Sequence, residues 1–213
     1  MKLEVLGGQA EALREVLHLF DLGEGSRLPA RLAHQISDVF ITHAHIDHFF
    51  AMGAFADVPV VAAAIERPLF ERQLAMEWTE KAVAAWAAVF PTFPDAVPTA
   101  RPFLPTEWVE KEARFGSPGR EIVFATTGGH TTGSSYVWFA ADGVLVAGDL
   151  VQVDRYPYFG DPTNDLDAWI TALDRWSNME VEAVCPGHGR MVGRDYLQLE
   201  SQYFKSLIVA MAK

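Results

Sequence analysis

Thr42-His43-Ala44-His45-Ile46-Asp47-His48 is the stretch on which the reading of this chain turns. It follows directly on a compact apolar run, Asp38 to Thr42, which reads as a β-strand. Along extended chain a spacing of two sends His43 and His45 to the same side. Asp47 and His48 enter the next helix and can face back across a small gap, so these four donors suit two adjacent metal sites.

Further donors stand in the same kind of place. His130 follows a strand at Glu121 to Thr126 across Gly128-Gly129, and His188 follows a strand at Glu182 to Cys185 across Pro186-Gly187. Asp149 follows a strand at Gly143 to Ala147 across Gly148. Glycines let the backbone turn tightly at each strand end, so four strands are expected to deliver imidazole or carboxylate to one rim. His18 and His34 have no such company and are read as non-ligands. Asp47 also fits a helix N-cap, and the two roles are compatible.

Nitrogen and carboxylate donors without sulfur suit zinc first, and also iron, manganese or cobalt. Two divalent ions, with Zn2+ the leading choice and Fe or Mn open, would acidify a shared water enough to serve as a nucleophile near neutral pH. Hydrolysis is the natural reaction. Cys185 is the chain's one cysteine, which excludes an intrachain disulfide and reads as a small buried apolar side chain.

The rest of the chain frames that cluster. Short β-type runs at Lys2 to Leu6 and Val16 to Leu22 suggest a hairpin, with a turn from Asp21 to Ser26 and a short helix from Pro29 to His34. A helix over Phe49 to Ala56 and a strand over Val58 to Ala63 come after the histidines. From Arg67 to Phe90, Phe70, Leu74, Trp78, Ala82, Trp86 and Phe90 recur every four positions, the stripe of one helix. Pro91, Pro94, Pro98, Pro102 and Pro105 then mark an irregular segment. Residues 67–119 are read as a helical and Pro-rich lid, or a dimer face, within one domain spanning 1–213. Strands at Ser134 to Ala140 and Gly143 to Ala147 meet at an Ala141-Asp142 turn, and helices span Leu166 to Trp176 and Arg194 to Met211.

The chain has 213 residues and a net charge of −11 from 17 Lys+Arg against 28 Asp+Glu. That balance disfavours a nucleic-acid partner or an anionic membrane surface. No run of about 18 apolar residues passes without a break, and no basic leader precedes one, so a cytoplasmic protein with a small-molecule substrate is expected.

The His43 to His48 cluster, the Thr127-Gly128-Gly129-His130-Thr131-Thr132-Gly133-Ser134 segment, the Gly148-Asp149-Leu150 step and the Pro186-Gly187-His188-Gly189 step together resemble the metallo-β-lactamase superfamily, in that order along nearly the whole chain. The resemblance implies an α/β fold, a four-layer αββα sandwich. It also implies His43, His45 and His130 on one metal, Asp47, His48 and His188 on the other, and Asp149 bridging both. A metal-bridging hydroxide would attack, with Asp47 taking its proton and Asp47 and Asp149 counted as catalytic.

Within the superfamily, the third-histidine segment and the last two steps look most like the glyoxalase II-like hydrolases, which points to a thioester or ester of a small molecule. Phe20-Asp21-Leu22-Gly23-Glu24-Gly25 is instead similar to the entry segment of tRNase Z-like phosphodiesterases, which makes a small phosphodiester the alternative. Antibiotic-hydrolysing lactamases lack an aspartate at the position of Asp149, and a persulfide dioxygenase would leave Asp47 and His48 idle. A lactonase and a non-catalytic metal-binding sensor of the same fold stay open. Asp21 is a candidate to hold the second ring nitrogen of a ligating histidine. Arg155, Tyr156 and Tyr158, in the loop after Asp149, are candidate substrate contacts.

Overall fold

The computed structural model describes residues 17–20, 36–49, 52–89 and 102–212. By internal packing the chain forms two compact units, Met1–Val109 and Glu110–Lys213. Each carries its own sheet and helices, so the mixed α/β class expected from the sequence is the one observed. Lys2 to Leu6, Asp21, the Pro29 to His34 segment and Pro91 to Pro98 lie outside the described residues.

The first unit is a parallel sheet in the order β1 (Leu17–Phe20), β2 (Ile36–Phe40), β3 (Val60–Ala63), β4 (Glu107–Val109). The Val60-Val61-Ala62-Ala63 run is buried at every position, as a strand covered on both faces requires. After β2 come helix α1 (Ile46–Phe49) and a 3-10 turn (Met52–Phe55), where one longer helix was expected. Phe70 anchors α2 (Arg67–Glu77) to this core, its ring 4.9 Å from that of Phe49 and 5.7 Å from that of Trp108.

The expected single helix from Arg67 to Phe90 is two, because α3 (Glu80–Val89) starts anew. Thr79 caps it, its hydroxyl accepting the Ala82 N–H at 3.2 Å. Phe70, Leu74 and Trp78 of the apolar stripe pack into the core of their own unit. Residues 102–105, the described end of the Pro-rich stretch, have no regular structure, and the part of the 67–119 segment beyond them forms strands: β4, and then β5 (Glu112–Ser117), which opens the second unit.

That second sheet runs β5, β6 (Arg120–Thr126), β7 (Ser135–Phe139), β8 (Val144–Gln152), β9 (Ala183–His188). Neighbours are antiparallel up to β8, and β9 joins parallel at the edge, where Pro186 displaces no ladder hydrogen bond on its outer side. Helices α4 (Leu166–Ser177) and α5 (Asp195–Met211) supply the cover. Asp165 caps α4 by accepting the Ala168 N–H, and Trp169, Leu173, Trp176, Leu197 and Phe204 are fully buried between helices and sheet. No helix among the described residues is long and apolar enough to cross a membrane.

Candidate metal centre

In the first unit the sheet ladder continues one residue past β2, Ile41 N–H donating to the Val61 carbonyl, and the chain then leaves the sheet at Thr42. The spacing of two has the expected consequence: His43 Nε2 and His45 Nδ1 lie 3.0 Å apart with their rings edge to face. His48 returns on α1, its ring centroid 4.1 Å from that of His43, and its Nε2 stands 3.4 Å from Asp47 Oδ2. His43 and His48 are buried, while His45 and Asp47 are half-buried. Thr42 Oγ1 lies 3.2 Å from His43 Nδ1 and can take its proton's hydrogen bond, which leaves the Nε2 lone pair for a ligand.

In the second unit His130 is fully buried on a loop that only glycine permits. Gly129 has φ +116°, and a Cβ there would meet Leu150 Cδ2 at 2.7 Å and the Trp169 backbone at 3.1 Å. Ser134 ties the loop, its hydroxyl accepting the Thr131 N–H at 2.8 Å and its carbonyl accepting from Thr127 and Gly128. The Tyr158 carbonyl, 3.1 Å from His130 Nδ1, sets the tautomer so that Nε2 is the donor.

Asp149 does not follow its strand as expected; it lies inside β8, which continues to Gln152. The β8–β9 register shifts on both sides of Gly148, and this irregularity turns the Asp149 side chain toward β9. Its two oxygens face different histidines: Oδ2 is 3.6 Å from His130 Nε2, and Oδ1 is 3.4 Å from His188 Nε2. Gln152, also buried, donates its side-chain amide to Oδ2 at 3.2 Å.

These separations test whether an ion fits. Two donors held about 2.0–2.1 Å from one tetrahedral ion stand about 3.4 Å from each other, longer than a direct hydrogen bond of about 2.9 Å. Asp149 with His188, and Asp47 with His48, both stand at 3.4 Å, and Asp149 with His130 at 3.6 Å, whereas His43 and His45, at 3.0 Å, stand at hydrogen-bond distance and would have to part by about 0.4 Å to share an ion. The donor set is nitrogen and carboxylate throughout, and these His and Asp residues are of a kind and placement able to hold a metal ion. Cys185 takes no part: it is buried, and burial pushes its thiol up to about 12.

Several contributors carry no motif. Glu66, Gln152 and the Tyr158 carbonyl each contact the donors or the chain between them. Glu200 on α5 lies behind Gln152, accepting its backbone N–H at 3.4 Å. Burial first, and the charge of Asp149 in addition, push the Glu200 carboxyl up to about 8. Of the expected substrate contacts, Arg155, Tyr156 and Tyr158 are all exposed on the loop after β8, Tyr156 at 87%.

A family model for the metallo-beta-lactamase superfamily matches residues 8–188. Among solved structures, the chain is similar to a metallo-beta-lactamase family protein from Thermus thermophilus (19% identity, 89% of this chain and 71% of that one, TM-score 0.64). It is also similar to TTHA1623 in a di-iron-bound form (22%, 81% and 83%, 0.57). A third is the metallo-beta-lactamase FIM-1 from Pseudomonas aeruginosa in a mono-zinc form (18%, 90% and 79%, 0.61). At these identities the likeness is one of fold. No curated protein gives a significant match.

Proposed function

From the membership of this chain in the metallo-β-lactamase superfamily, we propose that it is a binuclear metal-dependent hydrolase acting on a thioester or ester of a small molecule. The observation that carries the reading is Asp149, a buried carboxylate whose two oxygens each face a different histidine at the spacing of ligands on a common ion. His43, His45 and His130 would hold one ion, Asp47, His48 and His188 the other, with Asp149 shared. When bound, the ions supply an acidified water and polarise the scissile oxygen.

The chain's own residues prepare that chemistry. Thr42 and the Tyr158 carbonyl fix the tautomers of His43 and His130, and Gln152 holds the Asp149 oxygen that faces His130. Asp47, with a third of its side chain exposed, would ligate through the oxygen that faces His48 and take a proton on its other oxygen, passing it to solvent. Arg155 and Tyr156 are exposed where they can reach an arriving substrate, the guanidinium for a carboxylate and the ring for an apolar group. Zinc is the first choice of metal from the donor set, and the di-iron form of a structural neighbour makes iron the second.

The test is metal analysis followed by paired rates on a glutathione thioester and an activated phosphodiester in one buffer, with zinc, iron and manganese each tried. Two equivalents of metal and a thioester preference are the expected result. A phosphodiester preference moves the substrate class to the alternative resemblance, and metal-loaded protein inert to both overturns the hydrolase reading in favour of a sensor.

A further inference from the structure

Glu66 ends the short 3-10 turn Ala64–Glu66 between β3 and α2, and none of its surface is exposed. A carboxylate is almost never buried so completely without a partner. Its Oε2 accepts the Ala44 N–H at 2.6 Å, across 22 residues of chain. That length is short for an N–H···O hydrogen bond, whose usual range starts at about 2.7 Å. Ala44 is itself fully buried and stands between His43 and His45. The paired residues of β2 and β3 end at Phe40 and Val61, so the chain carrying the two histidines has already left the ladder that orients β2.

We propose that Glu66 is a positioning residue for the His43–His45 pair, and that it does through one carboxylate what a neighbouring strand does for β2. Fixing the Ala44 N–H fixes the plane of the peptide between His43 and Ala44. That plane sets the direction in which His43 leaves the backbone and, through Ala44, the direction of His45. The 3.0 Å approach of the two ring nitrogens is the result. Metal affinity therefore depends on the reach of residue 66 and not merely on its charge. The inference rests on the reading of His43 and His45 as metal ligands.

Two variants separate reach from charge. Glu66→Gln keeps an acceptor at the same distance without the charge, whereas Glu66→Asp keeps the charge and withdraws it by one carbon–carbon bond, about 1.5 Å. Zinc affinity is read by chelator competition, ligand geometry by the visible spectrum of the cobalt-substituted protein, and folding by thermal melts. Glu66→Asp is expected to weaken zinc binding about 10- to 100-fold and to shift the cobalt bands. Glu66→Gln is expected to stay close to wild type. Wild-type affinity and spectrum in Glu66→Asp, or equal weakening in both variants, overturns the inference while leaving the metal centre standing. Wild-type protein that binds neither zinc nor cobalt overturns the metal centre itself, and the inference with it. Should Glu66→Asp not fold, the Ala44 amide proton decides: it is expected far downfield in wild type and displaced upfield in Glu66→Gln, and an ordinary position in wild type overturns the proposal.

Discussion

Replacing Gly187 with alanine puts the proposed bridging role of Asp149 under direct strain. A Cβ at residue 187 would lie 2.0 Å from Asp149 Oδ1, 2.7 Å from Asp149 N and 2.7 Å from Gly148 C. Carbon makes contact with other heavy atoms at about 3.5–4.0 Å, so the carboxylate must retreat by more than about 1 Å. Two of the three obstructing atoms are backbone, and the strands that carry them are tied on either side. Gly148 pairs with Pro186, and Val153 N–H donates to the His188 carbonyl at 2.9 Å. The carboxylate yields first and Oδ1 leaves His188, and the two backbone contacts at 2.7 Å, which no side-chain movement relieves, displace the β8 backbone at Gly148 and Asp149 as well. A displacement of about 1 Å at a reacting centre costs on the order of 100-fold in rate. The overpacking itself costs about 1–3 kcal/mol of stability, which leaves a folded protein to assay. The expected result is a Gly187→Ala variant with a cooperative melt, weakened zinc binding by chelator competition and turnover down about 100-fold on the substrate preferred by wild type. Gly193 is the control: nothing lies within 4 Å of a Cβ there, so Gly193→Ala should leave both properties intact. Unchanged zinc affinity and turnover in Gly187→Ala would refute the argument that Asp149 Oδ1 must lie against the residue 187 backbone.

Three further outcomes are expected. Asp149→Ala should lose turnover and one equivalent of metal while staying folded, since the loss leaves chiefly the buried Gln152 amide unpaired at about 1–3 kcal/mol; metal analysis and a melt check this, and near-normal turnover sinks the two-ion mechanism. Glu200 makes the metal-free protein pH-sensitive. Its native pKa of about 8 stands above its ordinary 4.5, so its contribution is full below about 4.5 and is lost as pH rises through about 8. The slope is at most about 1.4 kcal/mol per pH unit. Urea melts of the metal-free protein from pH 5 to 9 should show a decline that Glu200→Gln lacks, and parallel curves would exclude Glu200 as its source. Trp169→Phe removes the indole N–H that donates to the Leu150 carbonyl at 2.8 Å, one residue beyond Asp149, and should cost about 1–3 kcal/mol in urea denaturation.

The donors were legible because their spacing alone does chemical work. Two histidines separated by one residue were expected to share a side, and the ring nitrogens of His43 and His45 do approach to 3.0 Å, on chain that bends at Thr42 and His43 rather than running extended. Positions set by backbone register were not legible. The apolar run Leu150-Val151 past Gly148-Asp149 was a signal that β8 continues, but the glycine reads equally well as a strand end. Only the pairing with β9 shows that Asp149 sits at an irregularity within a strand. Thr79 was a readable cap inside a stripe whose four-residue rhythm argued for one helix. The strands β4 and β5 are short and mostly exposed or half-buried, so they lack the apolar run that identifies a strand. Tyr158 was read as a candidate substrate contact; that its carbonyl contacts His130 could not be read, because main-chain atoms leave no trace in residue identity.

The same contrast bears on how each unit holds its own candidate donors in place. A donor carried on a strand is placed more accurately than one on a loop, because ladder hydrogen bonds fix its backbone on both sides. Asp149 has that advantage, and its cost is a disturbed register plus a glycine opposite that tolerates no side chain. His43 and His45 lack it, having left the sheet after Ile41, and there a buried carboxylate supplies the missing constraint. His130 lies between the two cases: its loop is closed by Ser134 and seated against Trp169, whose ring centroid is 5.5 Å from its own. In each case the donor's freedom is removed by groups of its own unit, so its orientation does not wait for an ion. Metal binding to rings already oriented in this way would lose less conformational entropy than binding to rings free to rotate, and this is the part that Glu66 in the first unit, and Gly129 and Gly187 in the second, would play without donating to a metal.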